Sequence, residues 1–385
     1  MIKSFFEFIS MADSERVHSQ TIGWIFSDNC TAISKQDKEI LLQQITKCSD
    51  SLHIKAVFIE IDNVDILIQC EDALIIIENK IKISQHDDQL SRYVEYAKKR
   101  AIELNITYNQ LHYIYLTLDK ESADAEPWKN VSYQELLDSL KLCEKVPGAE
   151  AIILDQYLNT VERILNAINS AIKDDGLRSW CFANTGVKKA DLLHPKVQQS
   201  IKFFLKGSKY IDTANYLVET GMIRLIQKIY FKRVLAEMDK RFLEQHFSSM
   251  AYDASVSTGE GLVQLTFKDL VINYKELRLI FGYQIQNQTL KVNVAHEEYM
   301  SSKKTDLPPG FRNLLVRIKS VLGYTGRIST GVTKAYGSVT ERQQFDPANR
   351  MSPTELARFI EADVRSRNYT ALLREIVREY QLEIR

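Results

Sequence analysis

The segment from Val64 to Lys80 constrains this chain more than any other. It reads Val-Asp-Ile-Leu-Ile-Gln-Cys, then Glu-Asp, then Ala-Leu-Ile-Ile-Ile-Glu-Asn-Lys. Two short, largely β-branched runs on either side of Glu71-Asp72 predict a pair of strands joined by a tight turn. Into this apolar hairpin the sequence inserts Asp65, Glu78 and Lys80. With Glu71 and Asp72 as the two turn residues, Cys70 faces Ala73, and counting outward in pairs sets Asp65 opposite Glu78. Residues so paired have Cβ atoms about 5 Å apart. Side chains alternate along a strand, so Glu78 and Lys80 share one face and Asn79 takes the other.

Two carboxylates converging on buried strands repel each other and resist joint ionisation unless a divalent cation lies between them. Oxygen donors without Cys or His favour Mg²⁺ or Mn²⁺. A lysine beside such an ion can orient a water or stabilise negative charge on a phosphate under attack, a combination suited to phosphodiester hydrolysis. The competing reading is a buried ion pair in which Glu78 and Lys80 only neutralise each other.

The surrounding pattern supplies an order of elements. Apolar spacing is helical from Ile2 to about Cys48, with Asp13 and Ser14 where an N-cap belongs. Strands are expected at Ile54–Ile61, Val64–Cys70 and Leu74–Asn79, a helix from Gln85 to about Glu103, a strand at Leu111–Leu118, and helices at Tyr133–Cys143 and Ala151–Ile172. Asp174-Asp175-Gly176 marks the first boundary, which divides the chain into residues 1–175 and 176–385. Beyond it, Pro195–Phe247 reads as helical and Val256–Val294 as strands. Pro308-Pro309-Gly310 then precedes a helix at Phe311–Val321. The Gly323–Gly337 run reads as a loop, and two helices capped near Ser352-Pro353 and Asn368 follow it.

Gln89 and Tyr93 stand four residues apart, on one face of the helix that follows the Lys80 strand. There an amide and a phenol can hold a phosphate backbone or orient Lys80; surface and packing roles are the alternative. In this order, Asp65, then Glu78-Asn79-Lys80, then Gln89-Leu-Ser-Arg-Tyr93 resembles the PD-(D/E)XK nuclease superfamily, and within it the RecB-like branch with a QxxxY motif. The family's proline is absent, since Val64 precedes Asp65. The resemblance covers about Met1–Leu118 and extends at most to Asp174. It implies an α/β (α+β) fold: a restriction-endonuclease-like core whose mixed central sheet is flanked by helices, followed here by a C-terminal mixed α/β module for substrate or partner. It further implies that Asp65 and Glu78 bind Mg²⁺ or Mn²⁺, that Lys80 positions the attacking water, and that Gln89 and Tyr93 assist. Glu15 looks like the helical acid that completes the metal site in related sequences, with His18 one turn on. Asp62 is the second candidate for the place of Asp65.

Lys and Arg together number 50, matching 50 Asp and Glu, so the chain is formally neutral. That excludes a polybasic protein and requires any polyanion to be met by local basic faces. Lys98-Lys99-Arg100, Lys188-Lys189, Lys202 with Lys206, Lys232-Arg233 and Lys240-Arg241 are the candidates. Five scattered cysteines without a CxxC pair exclude a zinc ribbon or disulfide scaffold and suit a reducing, cytoplasmic setting. No run is long and apolar enough for a membrane helix, and the N-terminus lacks a leader's cleavage site. No phosphate-cradling GxxxxGK[ST] loop occurs. The expected activity is therefore metal-dependent cleavage of nucleic acid, DNA first, in a defence or DNA-processing role. The alternatives are an RNA-cleaving enzyme on the same core and a non-catalytic binding protein; a homodimer or partner protein fits any of them.

Overall fold

A computed structural model of the chain describes residues 3–81, 89–119, 123, 126–184, 186–207, 209–253, 262–274, 277–286, 289–296, 310–330, 336–342 and 351–379. It divides into two compact units, Met1–Asn169 with Glu219–Met222, and Ser170–Val218 with Ile223–Arg385.

The first unit opens with helices α1 (Phe5–Phe8), α2 (Glu15–Phe26) and α3 (Lys35–Thr46). Ser14 caps α2 as expected, its side chain accepting from the Val17 N–H, a bond of a kind that contributes about 1 kcal/mol. Strands β1 (Ile54–Ile61), β2 (Val64–Cys70) and β3 (Leu74–Lys80) follow. Ile61 pairs with Val64 across Asp62 and Asn63, both left-handed at φ 50° and 67°. That is the two-residue turn whose twist matches a hairpin, and Asn tolerates it well. The β2–β3 register runs from Gln69 opposite Leu74 to Ile66 opposite Ile77. Continuing that register brings Asp65 opposite Glu78, as the residue count predicts.

Helix α4 (Gln89–Leu104) crosses to β4 (Leu111–Thr117), which lies parallel to β3. A further strand, β5 (Lys129–Ser132), extends the sheet in parallel and leads into α5 (Tyr133–Leu142) and α6 (Ala149–Lys173). The sequence reading missed β5: Lys-Asn-Val-Ser carries one aliphatic residue and joins the sheet through pairing to β4 alone. The resulting order β1-β2-β3-β4-β5 is antiparallel in its first half and parallel in its second.

Helices cover both faces of this sheet. On one, Leu67, Leu74, Ile76, Tyr113, Tyr115 and Trp128 pack with Leu90, Tyr93, Val94, Ala97 and Ala101 of α4. On the other, α2 approaches so closely that a Cβ on Gly23 would stand 2.5 Å from Ile59 Cγ1. Full burial of Ile66, Ile68, Ile75 and Ile76 stabilises the sheet by about 2 kcal/mol per side chain. Any polar group on it therefore sits in a dry, low-dielectric setting.

The second unit carries α7 (Asp175–Ala183), α8 (Pro195–Phe204), α9 (Ile211–Glu219), α10 (Ile223–Glu237) and α11 (Lys240–His246). Strands β6 (Phe247–Asp253), β7 (Leu262–Tyr274), β8 (Leu277–Gln286) and β9 (Thr289–His296) follow, then α12 (Phe311–Leu322), β10 (Ile328–Thr330) and β11 (Tyr336–Arg342). Helices α13 (Pro353–Arg367) and α14 (Tyr369–Glu379) end it, with Ser352 capping α13 and Asn368 left-handed between the two. Its sheet, β10-β11-β9-β8-β7-β6, is antiparallel at every pairing.

Two expectations are corrected here. The helical reading to Phe247 overruns α11, because Phe247 already begins β6, pairing with Phe267. The Gly323–Gly337 run is not simply a loop. Ile328–Thr330 forms β10 and pairs with Val339–Gly337, so the alternation of apolar and hydroxyl residues is a sheet-edge signal. Residues 331–335 of that run, Lys334 among them, lie outside the described residues, as do Pro308 and Pro309.

Candidate active site

The β2–β3 ladder stops one pair short of the acids, and side chains take over from the backbone. Asp65 Oδ2 accepts the Asn79 N–H at 2.8 Å, which tethers the end of β2 to β3. Glu78, fully buried on β3, receives Lys80 Nζ on Oε1 at 2.6 Å. The same oxygen accepts from Gln89 Nε2 at 2.8 Å. Its other oxygen, Oε2, is buried and has no hydrogen-bond partner among the described residues.

Gln89 and Tyr93 meet as the four-residue spacing predicts. The Gln89 amide also donates to Tyr93 Oη at 2.7 Å, and that hydroxyl donates to the Asn63 carbonyl at 2.6 Å. The pair therefore links Glu78 to the β1–β2 turn. The pair holds a site residue, and the residue held is Glu78 and not Lys80.

Glu15 reaches the site from the first turn of α2. Its Oε1 accepts the Ile81 N–H at 3.1 Å and its Oε2 lies 4.0 Å from Lys80 Nζ. The structure thus gathers Asp65, Glu78, Lys80, Gln89, Tyr93 and Glu15. It leaves out two other candidates. Asp62 is exposed in the β1–β2 turn and its side chain bonds to Tyr96. His18 is buried with both ring nitrogens engaged, Nε2 with the Ala12 carbonyl at 2.9 Å and Nδ1 with the Tyr157 hydroxyl at 3.0 Å. Burial lowers the His18 pKa to about 4. The neutral ring donates from Nε2 and accepts at Nδ1, a structural role.

Alternation turns Asn79 away from the acids, and sequence reading assigned it nothing. Its amide is nonetheless fully buried and fully used. Nδ2 donates to the Glu15 carbonyl at 3.1 Å and to Ser19 Oγ at 3.0 Å, and Oδ1 accepts from Tyr133 Oη at 2.6 Å. The available signal was an amide near the end of a strand otherwise apolar on that face, because a buried amide needs partners.

Burial sets the electrostatics. It raises the Asp65 carboxyl above its usual range, against the opposing pull of the Asn79 N–H and Lys80. It raises Glu78 as well, helped by the negative charge of Asp65. Burial alone would depress the Lys80 ammonium; Glu78, Asp65 and Glu15 together outweigh it and hold that group protonated. Two acids that resist ionisation beside one fixed cation make a site still short of positive charge.

Among the described residues no three His, Cys, Asp or Glu side chains stand as a ready metal cage. Magnesium does not need one, since it keeps several waters and takes one or two carboxylates. Asp65 and Glu78 are hard-oxygen donors of that kind, and the bare, buried Oε2 of Glu78 is the coordination capacity such an ion would use. On α4, Lys98 and Arg100 are engaged by Glu95 and Glu103, so this basic cluster is partly neutralised within its own helix.

A mixed sheet between helices, with an acid-bearing hairpin and the crossover helix contributing to one polar site, defines a restriction-endonuclease-like nuclease core. Residues 3–175 match the family model of the PD-(D/E)XK nuclease superfamily. No curated protein and no solved structure matches the chain.

Proposed function

We propose that the N-terminal unit is a metal-dependent phosphodiesterase acting on DNA, of the RecB-like branch, in bacterial defence or DNA processing. The observation that carries this reading is Glu78: a fully buried carboxylate, clamped on one oxygen by Lys80 and Gln89 and bare on the other, with Asp65 opposite. A purely structural ion pair would have no use for a second buried acid or a vacant oxygen. The QxxxY geometry on α4 supports the branch.

On this reading Asp65 and Glu78 hold Mg²⁺ or Mn²⁺. When bound, the ion supplies positive charge against the scissile phosphate and lowers the cost of forming hydroxide from water. Lys80, protonated at Nζ, orients the attacking water and offsets charge on the phosphate oxygens. Gln89 fixes the Glu78 carboxylate, and Tyr93 fixes Gln89. Glu15 adds a further carboxylate beside Lys80, 4.0 Å from Nζ. Water adds to phosphorus as the ester P–O bond breaks, leaving a phosphomonoester and a hydroxyl.

The test is cleavage of plasmid, linear duplex, single-stranded DNA and RNA with Mg²⁺, Mn²⁺ or EDTA. DNA cutting that EDTA abolishes is expected. RNA cut in place of DNA would reassign the substrate, and cutting unaffected by EDTA would overturn the metal reading.

A further inference from the structure

Asn79 lies between Glu78 and Lys80, yet its side chain faces away from them, into a buried hydrogen-bonded layer. Its backbone and side chain serve opposite flanks of the site. The N–H ties down Asp65 on β2. The amide grips the first turn of α2 through the Glu15 carbonyl and Ser19 Oγ, and is itself held by Tyr133 of α5. Glu15 then presents its carboxylate to the Ile81 N–H and Lys80. A helix's first turn is otherwise the part most free to fray, since its N–H groups lack intrahelical partners.

We propose that Asn79, clamped by Tyr133, is a positioning residue that sets the Glu15 carboxylate beside Lys80 and thereby tunes cation binding at the site. The inference rests on the metal reading above. A positioned Glu15 adds a negative charge 4.0 Å from Lys80 Nζ, which itself stays 2.6 Å from Glu78 Oε1, and so makes the site more attractive to a cation; a loosened Glu15 takes that charge away. The amide can do this because all of its polar capacity is committed, so its orientation is fixed. Tyr133→Phe removes only the hydroxyl, which sets the amide and also meets Tyr157.

The experiment is calorimetric titration of Mn²⁺ into wild-type protein, Tyr133→Phe, Glu15→Gln, the double variant and Glu78→Ala, with thermal unfolding confirming each fold. Ser19→Ala replaces Tyr133→Phe if the latter does not fold. Tyr133→Phe is expected to weaken Mn²⁺ binding about five-fold, the scale of one buried hydrogen bond. In the Glu15→Gln background the same change is expected to have no further effect, because both act through one carboxylate. A merely structural tyrosine would lower the melting temperature without this coupling. Unchanged Mn²⁺ affinity in Tyr133→Phe or Glu15→Gln, or an equal loss in both backgrounds, overturns the proposal. Wild-type binding by Glu78→Ala overturns instead the metal reading on which it stands.

Discussion

Each unit buries a carboxylate against a sheet, and the two are completed in opposite ways. In the second unit Asp363 accepts Arg367 Nε on Oδ1 at 2.8 Å, and the Tyr369 and Tyr283 hydroxyls on Oδ2 at 2.7 and 3.2 Å. Tyr324 completes the cluster through the Tyr369 hydroxyl at 2.8 Å. In the first unit Glu78 crowds Lys80 and Gln89 onto one oxygen and leaves the other bare. A satisfied buried acid adds stability and specificity; a half-satisfied one costs stability and keeps capacity in reserve. Glu7 also has a bare buried oxygen, but it is paired with Arg163 and closes the capping box of α1. Glu78 differs in having a second acid, Asp65, across the hairpin.

The comparison breaks most visibly at the site. Glu78→Ala or Lys80→Ala is expected to lower metal-dependent cleavage at least about 10³-fold while both variants still fold, as single-turnover assays and circular dichroism would check. Asp363→Ala is expected to do the reverse. By removing the shared acceptor of Tyr369, Tyr283 and Arg367 it costs the second unit about 3 kcal/mol in denaturant unfolding. The chemistry of molecules that remain folded should not change. A variant of Asp363 that keeps full stability would erase the distinction drawn between the two acids.

A subtler effect is the pH dependence of stability without metal. Glu78 binds its proton more tightly folded than unfolded, because burial and Asp65 disfavour the anion. Stability contributed by this group is therefore present at low pH and falls as pH rises through and above the ordinary carboxyl range. His18 acts with the opposite sign: its pKa is lowered to about 4, so its contribution is lost as pH falls below the imidazole range. The clean quantity is wild type minus Glu78→Gln, which keeps His18 constant. That difference should move against wild type with rising pH by on the order of 1–3 kcal/mol, read from urea midpoints. Smallest of all, Asp62→Asn should leave cleavage within about two-fold of wild type, since the side chain sits in the β1–β2 turn, outside the acid cluster.

The hairpin was legible because a period of two leaves no freedom. Once Glu71-Asp72 is the turn, the partner of Asp65 is fixed, and the observed register agrees with it. The α4 pair was legible for the same reason at a period of four. What escaped depended on partners distant in sequence. The Lys129–Ser132 strand owes its place to pairing with β4. The target of Gln89 depended on where Lys80 turned, and spacing does not specify that. Asn79 pointed to the wrong face for a catalytic role, and its meaning lay in Tyr133 and Ser19, 54 and 60 residues away. The pattern in the sequence identifies which side chains share a face; it does not identify which of their atoms are left without a partner.

The central claim is that Glu78 is kept for a cation at the expense of the fold. Thermal unfolding of wild type and Glu78→Gln at one pH above neutrality, without metal and with Mg²⁺, tests it most directly. Gln retains an acceptor for Lys80 and removes the buried charge, so the variant should melt above wild type without metal. Mg²⁺ should then raise the wild-type transition and leave the variant unmoved. A variant that melts below wild type, with Mg²⁺ shifting neither protein, would contradict the account and return Glu78 and Lys80 to the status of a buried ion pair.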